Sequence, residues 1–138
     1  MSWTAHHQPP YIELVFEGQV DAHELMAAAL GTLEQLLALP RPLVLADCTR
    51  VEGGHSAFDL YFLADMVAET PIRSTLREAI VFADLGAGAE NVRFWETTCI
   101  NRGLNVRVFT DRALAIRWLT ESVATHDANV AIGAPPKV

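Results

Sequence analysis

The sequence predicts one α/β domain: a mixed, mostly parallel sheet of four to five strands with about four covering helices. Three observations carry this. Short β-branched and aromatic runs alternate with segments of helical periodicity, the order expected of strand–helix–strand units. Leu43 to Ala46 is an unbroken apolar run, as a central parallel strand buried on both faces requires. Gly, Pro and capping residues stand at the boundaries between segments.

The elements follow in order. Trp3 to His7 reads as an edge strand, turned back by Gln8-Pro9-Pro10. Tyr11 to Phe16 (YIELVF) is its neighbour, with Gly18 ending it. Asp21 is an N-cap with Glu24 three residues on, the start of a capping box. Leu25, Ala29, Leu33 and Leu36 then share a helix face with Met26, Leu30 and Leu37, and Pro40 and Pro42 stop the helix. Leu43 to Asp47 is a strand, followed by a short polar loop with Gly53-Gly54. A helix runs from about Ser56 to Glu69, halted before Pro71. Ala79 to Ala83 is a strand, Glu90 to Arg102 a helix closed by Gly103, and Asn105 to Phe109 another strand. Asp111 caps a last helix carrying Leu114, Ala115, Trp118 and Leu119. The domain spans residues 1–123; from Ala124 to Val138 small residues, Gly and Pro read as a C-terminal tail.

Composition narrows the function. With 138 residues, 51% of them hydrophobic, the chain can bury a core of its own. A net charge of -7 with scattered Lys and Arg argues against nucleic acid or anionic lipid, whose phosphates would be repelled. No stretch approaches the roughly 20 apolar residues of a membrane span, and the N-terminus lacks a signal-peptide pattern. Cys48 and Cys99 have no zinc or CxxC spacing and read as reduced packing residues of a cytoplasmic protein. The five histidines stand at no metal-ligand spacing, so neither a metal nor another cofactor is expected.

Several residues are candidates for chemistry. Ser56 opens a helix, where its hydroxyl can cap a backbone N–H or, phosphorylated, gain charge-assisted bonds from the same groups. Asp59 lies where a capping box needs it and would repel a phosphate there. His55 neighbours Ser56, and the pair could serve a serine hydrolase only with geometry that nothing in the sequence signals. Asp47 ends a strand and reads as a loop anchor bonding amides near Thr49 or Arg50. Asp84 to Asn91 imitates a dinucleotide fingerprint but puts Asn91 at the third glycine, so it reads as a flexible loop. On the Ser56 helix, Ala57, Leu60, Tyr61, Ala64, Val67 and Ala68 form a core face. Phe58, Phe62 and Met66 form a second stripe nearly opposite, mixed with acids. That stripe is expected to be covered by loops or the tail, to meet a protein partner or a second copy, or to line an apolar ligand cavity.

The order of elements resembles the STAS domains, and specifically the SpoIIAA-like (anti-sigma-factor antagonist-like) proteins, over residues 9–123. The markers are LVLADCTRV before a helix, REAIVFAD as the next strand, and the closing VRVFTDRALAIRWL. In regulatory members of that family an Asp-Ser pair opens the helix after the second core strand, and a partner kinase phosphorylates the serine. The serine falls at Ser56; the aspartate position holds His55, and Ala57 and Phe58 stand where a glycine is usual. The chain looks closest to a divergent branch without a clear switch motif, sometimes likened to a lipid-binding fold. The resemblance implies a non-enzymatic regulatory module of bacterial type that binds a protein partner or itself through the Ser56 helix. A carrier of an apolar, lipid-like ligand is the alternative, and a serine hydrolase comes third.

Overall fold

In the computed structural model, which describes residues 3–53, 56–83 and 90–120, a five-stranded sheet is covered on both faces. The strands are β1 (Trp3–Gln8), β2 (Tyr11–Gln19), β3 (Leu43–Gly53), β4 (Arg77–Val81) and β5 (Asn105–Phe109). The helices are α1 (Ala22–Leu37), α2 (Ala57–Ala68), α3 (Glu90–Asn101) and α4 (112–120). Strand order is sequential, β1 to β5; β1 pairs antiparallel with β2, and every other pairing is parallel. The predicted fold class therefore holds.

Sequential order has a consequence for layering. Crossovers of one hand that always step the same way along the sheet place their helices on one face. Accordingly α1, α2 and α3 share a core with Ile12, Leu14, Val44, Ala46, Ile80 and Val106. The chain crosses to the opposite face only after β5, where α4 packs Ala115 and Leu119 on Leu43, Leu45, Ala79 and Val81. Alternation along β3 explains both clusters, because successive side chains point to opposite faces.

Local chemistry sets the ends as expected. Asp21 Oδ1 accepts from Glu24 N at 2.9 Å, and Asp111 Oδ1 from Leu114 N at 3.1 Å. Gly103 takes φ 81° where α3 ends, a conformation costly for a residue with a Cβ. The exposed edge β5 is blunted: Glu96 of α3 accepts from Val108 N at 3.0 Å.

Four expectations need correction. Cys48 to Gly53 is not a polar loop but the second half of β3, paired with Glu17 to Gln19 of β2. Gly18 therefore does not end β2; it lies at φ 69° within it, between register shifts that accommodate the irregular pairing. β4 begins two residues earlier than Ala79, because Arg77 and Glu78 pair with Leu43 and Val44 on one side and Asn105 and Val106 on the other. On α1 the buried residues are Ala28, Thr32 and Leu36, whereas Leu30 and Leu37 are exposed. Leu30 and Leu37 lie on the margin of the amphipathic stripe rather than at its centre, and Thr32 enters the core because its hydroxyl donates to Ala28 O at 2.8 Å. The 124–138 tail, His55 and residues 84–89 of the glycine-bearing loop lie outside the described residues.

Candidate functional site

Ser56 is the N-cap of α2 in a complete capping box. Its Oγ accepts from Asp59 N at 3.2 Å, and Asp59 Oδ2 accepts from Ser56 N at 2.8 Å. Such a cap contributes about 1 kcal/mol. A phosphoryl group on Ser56 would stand against the Asp59 carboxylate, a like-charge contact. Asp47 lies within β3 rather than at a strand end, and there it bonds Thr49 as expected: Oδ1 accepts from Thr49 N at 3.0 Å and Thr49 Oγ1 at 2.7 Å.

The faces of α2 divide differently from the predicted pattern. Leu60, Leu63 and Ala64 are buried, while Ala57 and Tyr61, assigned to the core face, are exposed. Tyr61 instead lies under the Arg102 guanidinium, 4.4 Å from its ring centroid. Arg102 also donates to Asp65 Oδ1 at 3.2 Å, which ties α3 to α2. Of the proposed second stripe, Phe58 and Phe62 do point outward, 67% and 54% exposed, with edge-to-face rings 4.7 Å apart. Met66 does not join them. It is half-buried and lines an interior cavity.

That cavity, about 420 Å³, lies between the sheet and helices α1, α2 and α3. Its floor is Leu14, Val44, Ala46 and Ile80; Ala28 and Leu33 of α1, Leu63 and Met66 of α2 and Trp95 of α3 form its walls. The exposed lining residues Leu30 and Glu52 mark where it meets the surface. The idea that Phe58 and Phe62 line a cavity is thereby corrected: Leu63 and Met66 border it, and neither phenylalanine ring does.

The lining is largely apolar, with Thr32, Glu52, Thr70, Glu78 and Asn91 as its polar side chains. Glu78 stands on β4, and Trp95 Nε1 of α3 donates to Glu78 Oε1 at 3.0 Å. Burial pushes the Glu78 carboxyl above its ordinary range, and the indole hydrogen bond opposes that shift. Cys48 also borders the cavity; burial, then the nearby charges of Glu78 and Asp47, push its thiol up. Burial does the same to Cys99, and both cysteines are free thiols. Thiols so shifted are poor nucleophiles at neutral pH.

Neither Glu78 nor Trp95 had been singled out from the sequence. A signal existed for the first: Glu78 shares its strand face with Ile80, and a charged residue inside a doubly covered strand is conspicuous. The Trp95 contact spans elements and left no such trace. The opposite face holds a buried acid, Glu13, to which Arg112 of α4 donates at 2.7 Å. Among the described residues no cluster of three or more His, Cys, Asp or Glu could hold a metal ion, and no helix is long and apolar enough to cross a membrane.

A five-stranded sheet with one antiparallel edge, three crossover helices on one face and a terminal helix on the other makes an α/β domain of SpoIIAA-like fold. Five chains of known structure match it. One is an uncharacterized protein of the DUF3478 family with a SpoIIAA-like fold, from Shewanella loihica PV-4. The two are 21% identical, over 85% of this chain and 91% of that one, with a TM-score of 0.53. That likeness is one of fold. No protein-family model and no curated protein matches the chain.

Proposed function

We propose that this chain is a non-enzymatic binding module whose interior cavity takes up an apolar small molecule. The observation that carries this reading is the chamber of about 420 Å³ beneath α1, α2 and α3. Its size falls in the range of small-molecule sites, and an apolar lining with a few placed polar groups is their usual make-up. A binding role rather than a catalytic one is supported by the chemistry of the candidate nucleophiles. The Ser56 hydroxyl is engaged in its capping box, and burial keeps both thiols protonated. Native mass spectrometry of protein purified from two unrelated hosts tests the reading. A bound mass released by organic solvent is expected; apo protein from both hosts that also fails to take up an apolar dye would sink it.

A second reading, suggested by the SpoIIAA-like fold and favoured by the outward Phe58–Phe62 pair, is regulatory self-association through α2. Phe62→Asp then weakens self-association while leaving the fold intact. An unchanged sedimentation profile by analytical ultracentrifugation counts against it.

A further inference from the structure

Resting on the reading of the cavity as a ligand site, we propose that its occupant is an apolar molecule bearing a hydroxyl, which bonds the free carboxyl oxygen of Glu78. Two carboxylates line the chamber. Glu52 is exposed at the rim, where water solvates it, so it sets no demand on the ligand. Glu78 differs. Trp95 Nε1 donates to its Oε1 at 3.0 Å, while Oε2 is bonded to no described residue and is open to solvent through the cavity. A ligand that displaces solvent from that oxygen either replaces the lost hydrogen bond or leaves the oxygen bare at a cost.

The chemistry of Oε2 discriminates among apolar ligands. An alkane body displaces any water and leaves Oε2 bare. A carboxylate head brings a second negative charge against the acid, so one of the two must hold a proton. An ammonium head pairs with an ionised Glu78 but must itself give up its hydration inside an apolar space. A hydroxyl both donates and accepts. It satisfies Oε2 as an ionised acceptor, and equally satisfies the O–H of a protonated carboxyl. Burial raises the carboxyl toward the protonated form, so a head group serving both states suits this site. The Trp95 bond supports the same assignment, because it fixes the carboxyl plane and leaves Oε2 as the reading atom.

The test uses the full chain and displacement of a neutral apolar fluorophore by ligands of equal chain length: 1-decanol, decanoic acid, decylamine and decane. The expected result is that 1-decanol displaces the dye about tenfold more tightly than any of the others, one good hydrogen bond's worth. In Glu78→Leu that preference disappears while the dye still binds, and the isosteric Glu78→Gln retains most of it. Equal or tighter binding of the acid, amine or alkane to the wild type overturns the hydroxyl assignment and leaves the cavity reading standing. So does an unchanged preference in Glu78→Leu. If the dye and all four ligands fail to bind a folded wild type, the cavity reading falls and the assignment with it. Should Glu78→Leu not fold, loss of the alcohol preference in Trp95→Phe, which frees Oε1 and the carboxyl's orientation, decides the matter in the same way.

Discussion

Filling the cavity from its floor tests whether the space is real. Ala46 sits on β3, 2% exposed, on the chamber's floor. Ala46→Ile adds three carbons, and isoleucine suits a strand. In an open chamber those carbons are buried without displacing a neighbour, at about 0.8 kcal/mol each. Side-chain entropy takes back roughly 0.5–1 kcal/mol. The net expectation is a stabilisation of about 1–2 kcal/mol. Ala115 supplies the contrast: it is 0% exposed on the opposite face, packed with Leu43, Leu45, Ala79 and Leu119. Ala115→Ile overpacks that layer and is expected to cost about 1–3 kcal/mol. Urea denaturation, read from the midpoints at unchanged slope, measures both. In thermal melts the two variants should move apart by several degrees, at roughly 2–8 °C per kcal/mol. The reasoning is refuted if Ala46→Ile loses as much stability as Ala115→Ile, for then the floor is as tightly packed as the α4 face. The same variant should also take up less apolar dye.

Two further outcomes follow from Glu13 and Glu78. Arg112 is the partner of Glu13, whose side chain is 8% exposed, while Arg112 itself is 46% exposed. Removing it in Arg112→Ala strands a buried carboxylate; discounted for the solvent reaching the arginine, the cost is about 1–3 kcal/mol. The double variant Glu13→Gln/Arg112→Ala should recover most of that loss, and simple additivity in urea melts would contradict the pairing. Glu78 governs a pH effect. Its native carboxyl is raised above the ordinary value of 4.5, so the native state keeps a proton that the unfolded chain has released. Stability from this group is therefore present below about pH 4.5 and is lost as pH rises toward the native value. Glu78→Gln lacks this slope, so its stability relative to wild type should improve between acid and neutral pH; a constant difference would remove the argument.

Much of the fold could be read directly because its signals are local. Caps at Asp21, Ser56 and Asp111, the glycine stop at Gly103 and the apolar run at Leu43 to Ala46 act within a few residues, and each stands where local chemistry put it. The errors arose where pairing overrode propensity. Cys48 to Gly53 has a loop's composition but becomes strand because β2 offers it backbone partners, and Arg77 and Glu78 join β4 because strands lie on both sides. The amphipathic pattern of α2 identified its outward phenylalanines correctly, yet misjudged Met66, Tyr61 and Ala57. Which margin of a helical stripe is covered depends on what stands beside it.

The alternation of elements, the helix ends and the capping role of Ser56 are legible along the chain, since all of these are set by interactions between near neighbours. The site came from packing between elements distant in sequence. The cavity exists because three crossover helices share one face of the sheet without closing over it, and the Glu78–Trp95 bond joins residues 17 positions apart on different elements. A void and a contact across it are properties of packing, and no local pattern encodes them.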